Sequence, residues 1–163
     1  MEKEYSCFFT GHRKLPQRRI SEIKELLTRK IEYLIEEKGV ESFIAGGALG
    51  FDTLAAETVI ELKEKYDFIK LYLYLPCYDQ SKLWSVNDRY KWRIIMAKVD
   101  DYQYITEGPY YDGCMQKRNY KMANDALYGI AYCVLSKSGT GLTMNYAEKI
   151  GNIVENIADE LYQ

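Results

Sequence analysis

Short apolar runs alternate with stretches of helical periodicity along the whole chain. Tyr5 to Thr10, YSCFFT, reads as a first strand. From Gln17 to Lys38 the apolar residues Ile20, Ile23, Leu27, Ile31 and Leu34 recur at the spacing of one helix face, with charges on the other face and Gly39 as a natural stop. Ser42 to Ala45 predicts a short second strand, and Asp52 to Tyr66 a second helix led by a carboxylate. Phe68 to Leu75, FIKLYLYL, alternates with period two and is closed by Pro76, which marks a third strand. Asp88 to Val99 predicts a helix through Trp92, Ile95, Met96 and Val99. Tyr102 to Thr106 predicts a strand, Cys114 to Ala126 a helix, and Gly129 to Leu135 the most apolar strand of the chain. Leu142 to Ile150 predicts a last helix and Ile153 to Ile157 an edge strand. There is no repeat, low-complexity tract or linker, so the whole of residues 1–163 is expected to form one domain.

Strands alternating with helices predict an α/β fold: a mainly parallel sheet with helices on both faces, in the manner of a Rossmann-like domain. In such sheets ligands bind outside the carboxyl ends of the strands. The motifs GHR, GGALGFD, EGPYYDG and SKSGTG all fall just after predicted strands, so they should converge on one edge of the sheet.

Composition narrows the chemistry. The formal net charge is −2, which argues against a nucleic-acid partner while leaving room for a local basic patch. Sixteen tyrosines suit half-buried positions and ligand-pocket walls. Cys7, Cys77, Cys114 and Cys133 form no CxxC, and His12 is the one histidine, which argues against a metal site. The cysteines read as small buried hydrophobes of a reduced, cytoplasmic protein. Met1 to Phe9 has no apolar signal-peptide core, and no apolar run is long enough to span a membrane.

In AGGALGFD the three positions of a dinucleotide fingerprint are Ala45, Gly47 and Gly50, so the first glycine is missing. The third strand ends Leu75-Pro76-Cys77 without the ribose-binding acid, and no P-loop Gly-Lys-Ser/Thr follows. NAD bound in the ordinary Rossmann manner is therefore disfavoured. Glycines still let backbone amides approach an anion at the positive end of a helix. A phosphate or ribose cradle and a plain tight turn both fit this loop, and Asp52 fits a helix cap as well as a ligand contact. Ser138, Gly139, Thr140, Gly141 and Thr143 form a second such loop, for which helix capping is the alternative. Arg13, at a strand's carboxyl end, has the planar fork that matches phosphate oxygens. His12 fits a hydrogen-bonded structural role or catalysis, and Arg118 a surface or a site position. No Ser-His-Asp or Cys-His set is evident, and no catalytic residue is assigned.

Taken together, FTGHR, GGALGFDTLAA, LPCYDQSKLW with DRY, DGCMQKRNYKM and SGTGLTMNYAEK resemble the SLOG superfamily, which includes the Smf/DprA proteins and LOG-type nucleotide hydrolases, and most closely its YpsA-like branch. The resemblance runs from Thr10 to Gly151. It implies a modified Rossmann fold with a pocket for a nucleotide or nucleotide-derived, ADP-ribose-like ligand, and no certain cofactor beyond that ligand. It carries over Gly46, Gly47, Gly50 and Asp52 as a first ligand loop and Ser138, Gly139, Thr140 and Thr143 as a second. Gly11, His12 and Arg13 would line the floor, Arg89 and Tyr90 would close the rim, and Trp84 would stack on a base or simply pack. A homodimer is common in the superfamily, with no interface signature in this sequence. LOG-type hydrolases carry an Arg-Lys-x-x-Met helix; here Arg118 and Met122 are kept and Asn119 replaces the lysine. The second loop lacks the Pro-Gly-Gly start, and Glu148 comes beyond the expected place. Those departures count against hydrolysis and favour sensing or sequestering a nucleotide. Phosphoribohydrolase chemistry, with Asp52 and Glu148 as its carboxylates, is the alternative. Single-stranded DNA binding of the DprA type, along Arg13, Lys14, Arg18 and Arg19, is the second alternative.

Overall fold

The computed structural model describes residues 1–163. Six strands, β1 (Ser6–Gly11), β2 (Ser42–Ala45), β3 (Lys70–Leu75), β4 (Asp101–Tyr104), β5 (Tyr128–Tyr132) and β6 (Ile153–Asn156), form one sheet in the order β4-β3-β2-β1-β5-β6. Every neighbouring pair is parallel. The helices are α1 (Ile20–Lys38), α2 (Phe51–Leu62), α3 (Val86–Lys98), α4 (Cys114–Asp125), α5 (Gly139–Lys149) and α6 (Ile157–Leu161). No helix is long and apolar enough to cross a membrane.

The period-two alternation of each strand divides its side chains between two cores. Cys7 and Phe9 of β1, Phe43 of β2 and Leu71, Leu73 and Leu75 of β3 meet α1, α2 and α6 on one face. Phe8, Ile44 and Tyr74 point the other way, onto Met122, Ala123 and Ala126 of the α4 segment and Ala147 of α5. Both faces are covered, as an all-parallel sheet requires. The second face is thin. Its helices approach through alanines, and Gly129 of β5 leaves the space that the Phe8 ring fills.

The fold agrees with the expected α/β architecture, and the element ends differ for identifiable reasons. The second helix stops at Leu62 rather than Tyr66, and residues 63–65 continue as turns, with the Tyr66 amide donating to the Leu62 carbonyl at 2.8 Å. β5 ends at Tyr132 rather than Leu135, because side chains take the amides that follow: Asn156 Oδ1 accepts from Cys133, and a side chain from the end of β1, described below, accepts from Val134 and Leu135. α5 begins at Gly139, three residues early, with Ser138 as its cap: the Gly141 amide donates to Ser138 Oγ at 3.1 Å. The sequence reading did not foresee α6, which packs Ile157, Ala158 and Leu161 beside α1.

β1 lies between β2 and β5, so the chain runs outward on one side of it and returns to the other. This is the topological switch point of a doubly wound sheet, where loops diverge above the strand ends. The packing predicts that Gly129→Ala is destabilising: an added Cβ would stand 2.7 Å from the fully buried Phe8 ring. Urea unfolding should show a loss of about 1–3 kcal/mol, seen as a lower midpoint at unchanged slope.

Candidate functional site

At the switch point, β1 runs through Gly11 into His12 and Arg13, while β2 runs into Gly46–Gly50 and the start of α2. The two loops touch: the Phe51 amide donates to the His12 carbonyl at 3.1 Å. Gly50 caps α2 with φ +78°, and any Cβ there would run into the Arg13 carbonyl. Only glycine meets both conditions, so this residue sets the close approach of the two loops.

The Gly46 carbonyl accepts from a buried guanidinium. Arg118, on α4, is 4% exposed, and its Nη1 donates to Gly46 O and, at 3.3 Å, to Tyr74 O at the end of β3. Its Nε donates to Asn119 Oδ1 at 2.8 Å, so Asn119 orients the arginine of its own helix. Asp52 lies across the same glycine. A Cβ at Gly46 would stand 2.7 Å from both Arg118 Cζ and Asp52 Oδ2, which accounts for glycine at this position. Asp52 is not the cap that its place at the head of the helix suggested. It sits inside the first turn, buried, and accepts from the Ala48 amide at 3.4 Å. Burial pushes its carboxyl up to about 6, against the opposing pull of Arg118, the Ala48 amide and Arg13. Burial also lowers the Arg118 pKa, with Asp52 acting the other way.

Arg13 stays exposed and reaches over this buried group. Its Nη2 lies 3.8 Å from Met115 Sδ, and Arg118 Nη2 lies 3.8 Å from the same sulfur. The edge therefore presents one exposed cation above one buried cation, with Met115 between them.

His12 turns out to hold the second loop. Its Nε2 accepts from the Val134 amide at 2.9 Å and the Leu135 amide at 3.3 Å, and its ring meets Tyr132 edge-on at 5.9 Å. An Nε2 that accepts carries no proton, so the neutral Nδ1–H tautomer is the one this geometry uses. Burial lowers its pKa in the same direction. In the second loop Ser138 is half-buried and Gly139 exposed, but Thr140, Gly141 and Thr143 are buried within α5. Thr143 Oγ1 donates to the Gly139 carbonyl at 2.9 Å, so its hydroxyl serves the helix. Glu148 is exposed near the carboxyl end of α5, away from the strand ends that hold Asp52.

A cleft of about 540 Å³ opens beside this edge, between the β1–α1 loop and the first turns of α2 and α3. Arg13 and Gly50 line it, whereas Ser138, Gly139, Arg118 and Asn119 do not. Neither Arg89 nor Tyr90 lines it; their neighbours Asp88 and Lys91 do, and Tyr90 is 65% exposed. The three-residue spacing of Asp88 and Lys91 was the signal that could have placed them together on one helix face. Trp84 meets Trp92 edge-on at 6.4 Å. Trp92 Nε1 in turn lies 3.6 Å from where a Gly47 Cβ would stand, so this pair backs the glycine loop.

The geometry defines a modified Rossmann-like protein with two glycine-containing loops and a buried arginine at the switch point. The family model described as the YspA SLOG family, YpsA, matches residues 7–131, and the chain belongs to that family. It is 36% identical over 138 residues to the SPbeta prophage-derived protein YoqJ of Bacillus subtilis, covering 78% of this chain and 81% of YoqJ. It is 33% identical over 106 residues to a UPF0398 protein of Bacillus pumilus, covering 65% of this chain and 56% of that one. It is 39% identical over 101 residues to one from Halalkalibacterium halodurans, covering 62% and 52%. The chain thus spans about half the length of these two UPF0398 relatives. Among solved structures, DNA processing protein A (DprA) of Streptococcus pneumoniae superposes with a TM-score of 0.65 at 17% identity, over 91% of this chain and 48% of that one. DprA of Helicobacter pylori, solved for its single-stranded DNA binding mode, superposes with a TM-score of 0.66 at 17% identity, over 98% and 72%. These likenesses concern the fold.

Two titrations follow from the site. A depressed His12 pKa means that its contribution to stability is present above the unfolded value of 6.5 and is lost as pH falls below it. At fixed pH, hydrogen exchange at the Val134 and Leu135 amides should accelerate at least tenfold in His12→Ala, and in the wild type their protection factors, corrected for the slower intrinsic exchange in acid, should fall as pH drops through the lowered His12 pKa. Asp52 has the opposite sign: its raised pKa gives stability that is full below 3.8 and lost as pH rises through about 6. Unfolding of Asp52→Asn between pH 4 and pH 7 should therefore gain on the wild type by about 3 kcal/mol across that window.

Proposed function

We propose that this chain is a cytoplasmic protein that binds a nucleotide or nucleotide-derived ligand, of the ADP-ribose kind, at the switch-point edge, and that it senses or sequesters the ligand without cleaving it. The observation that carries this reading is the pair Arg13 and Arg118 at the glycine loop. Arg118 is committed to the Gly46 and Tyr74 carbonyls and holds the loop from beneath. Arg13, exposed above it, keeps guanidinium donors free for phosphate oxygens. The Ser138–Gly139 start of α5 adds the positive end of an eleven-residue helix on the other side of β1.

Sequestering fits better than hydrolysis because the carboxylate of the glycine loop, Asp52, is buried behind Gly46 beside Arg118, while Glu57 and Asp88 face the neighbouring cleft. Cleavage of a glycosidic bond by the usual route needs two acids flanking it. Glu148, the second candidate, lies near the other end of α5. Single-stranded DNA is the second reading, favoured by the DprA fold and by the exposed run Arg13, Lys14 and Arg18.

Titration calorimetry with AMP and ADP-ribose tests the proposal. Binding is expected for the wild type. Arg13→Ala should weaken it at least tenfold, as loss of a charge-assisted hydrogen bond of about 1.5–3 kcal/mol dictates, with no change in unfolding temperature. Silence with both compounds, together with a gel shift of a dT20 oligonucleotide that Arg13→Ala abolishes, would replace the first reading by the second.

A further inference from the structure

The cleft on the α1–α2–α3 side carries charges that the fold leaves unused. Arg13, Lys14, Glu57, Asp88 and Lys91 line it, and none of the five belongs to an ion pair. Some lysines elsewhere are paired, Lys24 with Glu61, Lys30 with Glu155 and Glu160, Lys65 with Glu32, and Lys121 with Asp125, while others such as Lys82, Lys117 and Lys149 stand alone on the open surface; what sets the cleft apart is that unpaired charges of both signs share one concavity. Asp88 and Lys91 sit three residues apart on α3, where an ion pair is readily made, and still do not form one. The wall between these charges is apolar, formed by the half-buried Leu15, Leu49 and Leu54. A volume of about 540 Å³ lies within the range of small-molecule pockets, about 300–1,000 Å³.

We infer that this cleft is a second subsite, which takes the distal sugar-phosphate half of a two-part nucleotide ligand whose first half lies at the switch-point edge. The inference rests on the nucleotide reading above. Arg13 belongs to both places: it lines the cleft, and its guanidinium reaches Met115 over Arg118. A pyrophosphate bridging the two halves would meet Arg13 in the middle. Lys14 and Lys91 supply further cations for phosphate oxygens, and Glu57 and Asp88 accept from the hydroxyls of a ribose, which a purely cationic groove could not read. The leucines offer the sugar carbons an apolar wall. Gly50 sets the geometry, because its contact with the Arg13 carbonyl keeps the β1–α1 loop against α2 and so shapes one end of the cleft.

Calorimetry with AMP and ADP-ribose on the wild type and two double variants tests this. ADP-ribose should bind the wild type at least tenfold more tightly than AMP. Lys14→Ala/Lys91→Ala and Glu57→Gln/Asp88→Asn should each cut the ADP-ribose advantage to under threefold. Lys14, Lys91 and Glu57 are exposed, and unfolding temperature reports whether the fold survives the changes. Equal affinity for the two compounds in the wild type, or variants that weaken AMP as much as ADP-ribose, would overturn the subsite and leave the nucleotide reading standing. Silence with both compounds removes that reading and the subsite with it. Binding of a dT20 oligonucleotide that the lysine variant abolishes, without ADP-ribose binding, would assign the cleft to a DNA strand and also overturn the inference.

Discussion

One buried guanidinium holds the functional edge of this protein together. Arg118 enters from α4, on the thin face of the sheet, and donates to the carbonyls of Gly46 after β2 and Tyr74 at the end of β3. A charge out of water is tolerated only when its donors are met, and here two backbone carbonyls, the Asn119 side chain and the Met115 sulfur meet them. Those carbonyls lie where the ladder ends and would otherwise lack partners. The same bond that satisfies the arginine therefore shapes the glycine loop. Asp52, on the far side of Gly46, supplies the opposing charge, and burial raises its own pKa against the pull of Arg118. Glycine at position 46 is what lets both groups reach the backbone.

Around that centre the two ligand-type loops are built differently. The first is rigid from below, anchored by Arg118 and pressed against Arg13 through Gly50. The second hangs from one imidazole. After Asn156 has taken the Cys133 amide at the end of β5, His12 takes the Val134 and Leu135 amides and turns the chain toward the cap of α5. This contact works only while Nε2 is free of a proton, so acid releases the second loop. The histidine thus serves as a structural acceptor, which leaves Arg13 as the exposed charged side chain of the GHR motif.

Ion pairing is uneven over the surface. Lys24 and Lys30 of α1 and Lys121 of α4 are paired with acids one turn away or on a neighbouring element, whereas Lys38 and Lys117 of the same helices are not. Exposed pairs of that kind add little stability, but they silence the surface electrostatically. Near Arg13 the pairing stops, and a concave surface with both signs of charge remains. Net charge alone, at −2, conceals that local difference.

Much of this was legible in the chain. Period-two and helical spacing placed all six strands and the first five helices, because alternation and three-four recurrence follow directly from backbone geometry. The ordered motifs placed the GHR, GGALG and SGTG segments at one sheet edge and tied them to the SLOG family. Element ends were less legible, since Tyr132 becomes a boundary only when Asn156 and His12 capture the amides that follow it, and Gly139 only when Ser138 caps α5 through the Gly141 amide. The roles of single polar residues were not legible at all. Whether Asp52 caps a helix or lies buried, whether Arg118 faces water or two carbonyls, and which face of α3 meets the cleft are decided by neighbours far away in sequence. Sequence spacing fixes the face a residue shares with its own helix, while burial and hydrogen-bond partners come from other elements, and only the folded chain brings those together.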